Sequence, residues 1–397
     1  MDTDRRPEIL VGFAEAYAAI EATWSLLEAG FRVSALARSG ERAALRHVRN
    51  VRIHPVTAPE VDAERTLADV RAVLTARAPA AYLPLDDASV WISSQLSRDE
   101  VVVAGPSGAT AAYALDKERQ LSVAREAGLL VPETTVVPSL PEQSPSAYPV
   151  VVKPARALYC LEGRLVRRKG MVCANDAEFR QAARTLSTVP MLVQPLITGV
   201  GEGLFGHMTD SGVVAWSAHR RLRMVNPEGS ASSACVSRSV DPQIIGPAER
   251  FLRAIGWRGL FMLEFLRDRE GRPWFMELNG RTWGSLALAR RRGFEYPAWT
   301  VRAALDANYN PVAPANPPEI VCRNLGMELL HLAFVIRGPR SIALREWPRL
   351  LPTIRDLVHV GRNDRLYNWN RSEPYVLAAD TAQTLRSYLG RALKAAR

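Results

Sequence analysis

The first 115 residues alternate short apolar segments with segments whose apolar positions recur at helical spacing. One segment of the second kind predicts a helix over residues 16–30, which stops at a glycine. Strands that alternate with helices favour an open parallel α/β sheet. A dinucleotide-binding site is disfavoured, because Gly12 stands alone where such a site needs a glycine-rich fingerprint. The apolar segments that predict strands are 8–12, 31–36, 81–85 and 101–106.

Two adjacent aspartates follow the third of these predicted strands. Asp86 and Asp87 lie where open parallel sheets bind ligands, so they are candidates to face a substrate. A helix N-cap accounts for such residues equally well. The sequence leaves both interpretations open.

Beyond residue 115 the predicted strands are more numerous. A helix is predicted over 116–127, and a proline- and serine-rich connector over 138–149. Proline is dense again over 310–318, which marks a domain boundary, and a mixed helical tail including 326–336 and 380–395 follows. The strands predicted between the connector and that boundary are 148–154, 191–197, 205–208, 213–216, 260–266 and 273–281.

The last two of these strands form a hairpin that carries acids among apolar residues. Glu277 and Asn279 are two positions apart, so they point to the same face. Glu264 and Glu277 are nearly symmetric about the turn, so we expect the two carboxylates to be close across the hairpin. A buried carboxylate needs a partner or a metal ion. Two carboxylates and an amide oxygen would supply hard ligands for a magnesium ion that also holds phosphate oxygens.

The alternative for this hairpin is a half-exposed amphipathic surface with solvated acids. The alternation disfavours it, because Glu264 has apolar neighbours on both faces of its strand.

Composition narrows the class of protein. The chain has 397 residues, 47% of them apolar, which indicates a globular protein of two or three domains. Its net charge of +10 suits an anionic small ligand, whereas no basic run carries interleaved aromatics, so specific nucleic-acid binding is disfavoured. Neither a membrane-spanning run nor a signal core is found, so we expect no membrane partner. Isolated thiols indicate a reducing cytoplasm, and they are Cys160, Cys173, Cys235 and Cys322.

An ordered set of motifs resembles the ATP-grasp superfamily, which includes D-alanine–D-alanine ligase, biotin carboxylase and carbamoyl-phosphate synthetase. The resemblance covers about residues 1–305 and is strongest to predicted carboxylate–amine ligases of that superfamily, which also have an arginine cluster. The set consists of Asp116-Lys117, Val152-Lys153-Pro154, Gln194 with Glu202, then Glu264, Glu277, Asn279 and Arg281.

The resemblance implies an α/β protein with the ATP-grasp fold. Residues 1–115 would form an N-terminal open parallel α/β domain that precedes the ATP-grasp domain. Residues 116–305 would form the ATP-grasp domain, with two α+β lobes near 116–188 and 189–305 that clasp ATP. Residues 306–397 would form a mostly helical C-terminal extension.

The resemblance also implies roles for four cations. Lys117 and Lys153 would bind ATP phosphates; a lysine that reaches along the surface into solvent is the alternative for both. Arg281 would stabilise developing charge on an acyl phosphate, a task that suits its planar fork of five donors. Arg221 is the second candidate catalytic residue.

The segment after residue 193 has the position of the hinge that contacts adenine. Gln194 occupies the hinge, and backbone groups of Pro195, Leu196 and Ile197 would meet the base. Because Pro195 lacks an N–H, the contact must use a neighbouring donor. Glu202 would hold the ribose hydroxyls, and an acid on a flexible loop is the alternative.

Two basic segments fall near the expected phosphates. His219, Arg220, Arg221 and Arg223 would bind the γ-phosphate or a substrate carboxylate, against the alternative of an exposed basic strand. Family members close a glycine-rich loop over the phosphates, but the stretch 161–170 is basic instead. A cover for the phosphates and a solvated hairpin are equally compatible with it.

We therefore predict an ATP-dependent carboxylate–amine ligase. Glu264, Glu277 and Asn279 would bind Mg²⁺, with Mn²⁺ as the alternative ion. A small-molecule carboxylate would attack the γ-phosphate of ATP to form an acyl phosphate, and an amine would then displace phosphate, with no protein nucleophile. A homodimer is left open. The alternatives are carboxylation or phosphorylation of a small acid by the same fold, and a non-catalytic nucleotide- or RNA-binding module.

Overall fold

The computed structural model describes residues 6–139, 144–186, 188–229, 231–344 and 346–395, with side chains to residue 389. Residues 140–143 of the predicted connector and the last residues of the tail therefore lie outside the described part. Within the described ranges, no helix is long and apolar enough to cross a lipid bilayer.

The N-terminal part is an open, fully parallel sheet with strand order β3-β2-β1-β4. This arrangement confirms the α/β pattern predicted from the alternation. The segment 101–106 is not a strand, however: only Val103 bridges to Tyr82, and the chain turns away at Gly105, whose φ is +158°. The elements are β1 (Glu8–Val11), α1 (Ala19–Glu28), β2 (Arg32–Arg38), β3 (Val51–Val56), α2 (Ala63–Arg77), β4 (Ala81–Leu83), α3 (Asp87–Gln95) and α4 (Gly108–Leu115).

A second, antiparallel sheet follows, with strand order β5-β10-β6-β9. Phe179 packs beneath it with Met191 in a small separate core. A two-stranded hairpin, β7–β8, projects from this lobe. The elements are α5 (Lys117–Glu126), β5 (Thr135–Val137), β6 (Val150–Pro154), β7 (Tyr159–Leu161), β8 (Arg164–Val166), β9 (Met171–Cys173), α6 (Asp176–Leu186) and β10 (Met191–Pro195).

The largest sheet has seven strands in the order β15-β14-β11-β12-β13-β16-β17. Its last two strands come from beyond residue 305, so part of the predicted helical extension completes this sheet; the domain bounds themselves remain predictions. The elements are β11 (Val200–Met208), β12 (Val213–Met224), β13 (Ser232–Arg238), α7 (Pro242–Ala254), β14 (Gly259–Arg267), β15 (Pro273–Asn279), α8 (Leu286–Arg291), α9 (Tyr296–Leu305), β16 (Val321–Arg323), α10 (Leu325–Arg337), α11 (Leu350–Val358), β17 (Asp364–Leu366) and α12 (Tyr375–Ala395).

The two faces of this sheet have different partners. Gly203 lies opposite Glu264, and Glu264 lies opposite Glu277, so these positions share what we call the acidic face. Glu202 lies opposite Phe265 on the other side, the helix face, where Phe265 packs into a core with α7. Elsewhere on the acidic face, buried side chains such as Phe205 pack against the N-terminal domain. The part of the acidic face that carries Glu264 and Glu277 faces the lobe that contains β6.

Candidate active site

The structure brings the predicted acids together at the β14–β15 hairpin. Glu264 and Glu277 are Cα partners, and a β-bulge follows Glu264. The turn is tight because Gly271 adopts a φ of +80° and its N–H donates to the carbonyl of Asp268 at 3.1 Å. Asn279 donates from Nδ2 to Glu277 Oε1 at 3.4 Å. Two carboxylates and an amide therefore converge on one face of the sheet.

Each of these carboxylates is paired with a cation. Arg221 on β12 reaches Glu264 at 2.7 Å, and Lys117 at the start of α5 reaches Glu277 at 3.0 Å. Burial alone would raise the pKa of Glu277, but the adjacent Lys117 ammonium and then Lys153 lower it to about 2. Glu277 is therefore an anion throughout the physiological range.

Lys153 stands on β6, opposite Leu192, and is partly buried. Burial and the neighbouring charge of Lys117 lower its pKa to about 8, against the attraction of Glu277 and Glu264. Lys117 and Lys153, which were both predicted to contact phosphate, thus lie beside the acids and do not extend into solvent.

Two glycines of β11 explain how Arg221 reaches across the sheet. A Cβ on Gly201 would lie 2.5 Å from Cδ of Arg221, and a Cβ on Gly203 would lie 2.7 Å from Nε2 of His219. Larger residues at either position would push these side chains away from β11. The glycine-rich stretch near residue 200 is therefore required for close packing of side chains across the acidic face.

The structure buries His219 beneath the site and does not bring it beside the acids. The imidazole is fully buried, its edge meets the ring of Phe205 at 4.9 Å between centroids, and neither ring nitrogen has a partner among the described residues. Burial, with a contribution from Arg221, lowers the pKa of His219 to about 3, so the ring is neutral. His219 is part of the packing beneath the site.

The three arginines of the basic cluster have different partners in the structure. Arg220 lies opposite Glu202 and Val236, so it is on the helix face and points away from the acids. Arg223 forms a bidentate pair with Glu328 of α10 at 2.6 and 2.9 Å, which fixes α10 against the sheet. Of the four residues of the predicted cluster, Arg221 reaches Glu264, whereas Arg220 and Arg223 are directed elsewhere.

Glu202 lies on the other face of the sheet from the acids. Its carboxylate is buried on the helix face and is paired with Arg238 and, at 2.9 Å, with Arg267. The same Arg267 binds Asp241 at 2.8 Å. Glu202 therefore points away from Glu264 and lies on a strand, so the alternative of an acid on a flexible loop does not hold, whereas its contact with a ribose stays a prediction.

The predicted adenine hinge is at the end of β10. Gln194 is buried and donates from Nε2 to the hydroxyl of Thr134 at 2.7 Å. The N–H of Leu196 donates to the carbonyl of Pro149 at 3.0 Å. Since Pro195 has no N–H, Ile197 is left as the candidate backbone donor to a base.

Arg281 is held by a residue that the sequence only partly identified. Its Nε donates to Oδ1 of Asp87, the first residue of α3, at 3.0 Å. Asp86 is instead the N-cap of α3 and accepts from the N–H of Ser89 at 2.8 Å. Asp86 is therefore a helix N-cap, which was one interpretation of the two aspartates. Asp87 faces the candidate site, which was the other.

Asp87 also binds the basic loop. Arg167, just after β8, pairs with the second oxygen of Asp87. Burial would raise the pKa of Asp87, but Arg281 and then Arg167 lower it to about 2. The sequence pattern did not single out Arg167 within the basic loop. For Asp87, the sequence signal was its position after a predicted parallel strand.

The basic loop 161–170 is largely exposed, but β8 ties it to the N-terminal domain. Leu165 of β8 is buried in the core of the N-terminal domain, and its N–H donates to the carbonyl of Pro59 at 2.8 Å. The carbonyl of Gly163 accepts from the N–H of Ala63 at 2.8 Å. The hairpin is therefore anchored to the N-terminal domain, and its covering of phosphates remains a prediction.

The residues present fit a magnesium ion. Within the part of the chain that the structure describes, no group of three or more His, Cys, Asp or Glu side chains is arranged to hold a metal by itself. Glu264 and Glu277 with Asn279 instead form a set of two carboxylates and an amide. Mg²⁺ is usually bound by one or two carboxylates together with substrate phosphates and water.

Comparisons with known proteins identify the fold. No protein-family model and no curated protein matches the sequence. Among solved structures, the L-amino acid ligase from Bacillus licheniformis aligns over 76% of this chain and 75% of its own at 17% identity, with a TM-score of 0.60. Biotin carboxylase from Campylobacter jejuni aligns over 81% and 75% at 16% identity, with a TM-score of 0.62.

A third structure is similar over nearly its whole length. The ADP complex of N5-carboxyaminoimidazole ribonucleotide synthetase aligns over 88% of this chain and 96% of its own, at 12% identity and a TM-score of 0.62. These similarities confirm the predicted ATP-grasp fold. At these identities they establish the architecture and leave the reaction to be inferred from the site.

Proposed function

We propose that this protein is an ATP-dependent carboxylate–amine ligase that forms an amide bond through an acyl phosphate and releases ADP and phosphate. The observation that carries the proposal is the pair of contacts Glu264–Arg221 and Glu277–Lys117 on one sheet face, with Lys153 beside them. Acids that suit a divalent cation thus alternate with cations that suit phosphates. This is the charge arrangement that phosphoryl transfer requires.

The arrangement suggests an exchange of partners on binding. Phosphates would take Lys117, Lys153 and Arg221, and so release the carboxylates of Glu264 and Glu277. These carboxylates and Asn279 would hold Mg²⁺, which when bound supplies neutralisation of phosphate charge. Nucleotide and metal should therefore bind more tightly together than separately.

The chain's own residues then position the acid and the developing oxyanion. Asp87 holds the guanidinium of Arg281 by its Nε, and the carbonyl of Thr282 accepts from Nη1 at 3.2 Å, which leaves Nη2 for the acyl oxygen. Preorganised donors of this kind act without reorganisation as negative charge develops. Arg281 is therefore the proposed oxyanion residue, and Ile197 the proposed contact of the base.

The substrates are a small carboxylate and a small amine. Among the similar structures, one is described as an L-amino acid ligase, which supports C–N bond formation. Another is described as a biotin carboxylase, so carboxylation is the second candidate function. We place the reaction in the cytoplasm, where ATP and Mg²⁺ are abundant and the four cysteines, all free in the structure, stay reduced.

Release of ADP and phosphate, measured across a panel of carboxylates combined with amines, tests the proposal. We expect turnover that needs both an acid and an amine, and a product whose mass equals their sum less water. Phosphate release that depends on bicarbonate and one acceptor would support carboxylation. If no combination of acid, amine and bicarbonate supports ATP turnover, and the protein binds RNA in a salt-sensitive way, both enzyme hypotheses are wrong.

A further inference from the structure

Helix α11 presents its apolar residues to solvent. Leu350, Leu351, Ile354 and Val358 are 43%, 78%, 40% and 73% exposed, whereas Thr353 is the buried residue of the helix. At 3.6 residues per turn these four aliphatic side chains fall within about 100° of the helix circumference. They form one stripe, which we call the α11 stripe. A helix that buries a threonine and exposes its aliphatic side is unusual for a surface packed only against water.

The orientation of this helix is held by polar contacts at its C-terminus. Arg323 donates to the carbonyl of Leu357 at 2.6 Å and to that of His359 at 2.8 Å. On the other side, Trp347 donates from its indole N–H to the carbonyl of Val335, at the end of α10, at 3.2 Å. Rotation of the stripe inwards would break the Arg323 contacts and leave buried polar groups unpaired.

The chain segment that contains the stripe is basic. Residues 337–371 contain eight arginines and three acids, a net charge of +5 out of +10 for the whole chain. All three acids are in ion pairs: Glu346 with Arg269, Asp356 with Arg355, and Asp364 with Arg323. On α11 itself, Arg355 forms an exposed 3.6 Å ion pair with Asp356, which solvent screens. Arg355 is 81% exposed and lies about 40° from Leu351 around the helix axis, at the rim of the stripe, whereas Asp356 lies about 140° from Leu351.

Charge decides which partner fits this surface. A second copy of the chain would bring the same positive region against itself, which opposes association. Nucleic acid is disfavoured because the stripe is aliphatic and offers no ring on which a base could stack. An apolar stripe bordered by arginines matches the boundary between acyl chains and anionic headgroups.

We propose that α11 and the segment that follows it, residues 350–362, form a docking surface for an anionic lipid bilayer. The aliphatic stripe would enter the acyl boundary while Arg355 and Arg362, with the adjoining N-cap residue Arg349, contact headgroup phosphates. The expectation of no membrane partner rested on spanning segments and a signal core, and a helix that lies in the interface plane has neither. The inference does not depend on the proposed ligase reaction.

Vesicle co-sedimentation of the full chain tests the proposal. We expect at least tenfold stronger binding to phosphatidylcholine vesicles that contain about 30% phosphatidylglycerol than to pure phosphatidylcholine, and a marked loss in high salt, since each arginine at an anionic surface strengthens binding roughly fivefold. The double variant Leu351→Ser/Val358→Ser should lose this binding at least tenfold, and Arg355→Glu several-fold.

The matched controls are Val312→Ser and Arg180→Glu. Val312 is 83% exposed and Arg180 is 61% exposed, and both lie outside residues 350–362. These variants should bind vesicles as the unaltered chain does. All four variants alter exposed side chains, so their unfolding midpoints should agree; if the double variant unfolds early, Arg355→Glu alone decides the result.

Equal binding to both kinds of vesicle, or unchanged binding by the double variant and by Arg355→Glu, overturns the proposal. A dimer in light scattering that the double variant dissociates, with no vesicle binding, would assign the stripe to a second copy and also overturn it.

Discussion

Asp87 and Arg281 are 194 positions apart in the chain, yet their side chains meet at 3.0 Å. This contact joins the first turn of α3 in the N-terminal domain to the residues that follow β15. The second oxygen of Asp87 binds Arg167 of the basic loop. One buried carboxylate therefore links the N-terminal domain, the loop and the proposed oxyanion residue.

We predict that Asp87→Asn lowers kcat about 10- to 100-fold, because Arg281 loses the partner that orients it. The KM for ATP should change much less if Arg281 acts on the acyl group and not on the nucleotide. Steady-state kinetics of ADP release measure both constants. Asp87→Glu, which keeps the charge, should recover part of kcat, whereas a purely structural role would lower only the amount of folded protein.

The neighbouring Asp86 is the matched control. Asp86→Ala removes the N-cap of α3 and a 3.2 Å ion pair with Arg38. It should cost about 1 kcal/mol of unfolding free energy and leave kcat within twofold. Equal losses of kcat in the Asp86 and Asp87 variants would contradict a specific positioning role for Asp87.

Glu277→Gln should reduce ADP formation at least about 100-fold while the protein stays folded. The substitution removes one of two anionic oxygen donors proposed for Mg²⁺ and leaves Lys117 without its partner. ADP release at saturating acid and amine is the measurement. Glu270→Gln, in the exposed turn of the same hairpin, is the control and should be neutral. Turnover of Glu277→Gln at the unaltered rate would show that the metal site is assigned wrongly.

Gly201→Ala should weaken joint binding of ADP and Mg²⁺ about tenfold. Its Cβ would lie 2.5 Å from Cδ of Arg221, so the arginine must leave the position from which it reaches Glu264. Titration calorimetry with ADP and Mg²⁺ gives the affinity. In Gly284→Ala the nearest atom is 4.0 Å from the new Cβ, and the affinity should be unchanged. If both variants bind equally, Arg221 does not contribute to the nucleotide site.

The affinity for ADP should fall as pH rises through about 8. Burial and Lys117 lower the pKa of Lys153 to about 8 from the ordinary 10.5, so the free protein loses this proton in a range where an exposed lysine would keep it. Phosphates bind the protonated form, so each unit of pH above 8 should raise Kd up to about tenfold. Lys153→Arg stays charged and should abolish this dependence. A flat profile for the unaltered protein would exclude Lys153 as a phosphate ligand.

The lowered pKa of Lys153 also makes the free energy of unfolding depend on pH. Below pH 8 Lys153 is charged in both the folded and the unfolded state, and the cost of burying the charge is fully present. Between about 8 and 10.5 the unfolded state binds more protons, so the contribution of Lys153 to the free energy of unfolding rises with pH. Denaturant titrations of the unaltered protein and Lys153→Arg over this interval measure the difference.

Local sequence determined the elements that carry the candidate site. The β14–β15 hairpin, with its turn glycine and its acids at matching positions, follows from strand periodicity and turn chemistry, which act over a few residues. The alternating strands and helices before residue 115 likewise predict the parallel sheet that is found. The ordered motifs were sufficient to predict the ATP-grasp fold.

Only the tertiary structure decided which faces meet. Glu202 and Gly203 are adjacent in a strand and so point to opposite sides, but only the pairing of Gly203 with Glu264 decides that Glu202 is the one that faces away from the acids. Because side chains alternate along a strand, a register difference of one residue reverses every assignment, and no local pattern at Glu202 reports its register. The contact of Asp87 with Arg281 is of the same kind: it depends on how the N-terminal domain packs against the large sheet, and therefore on the whole chain.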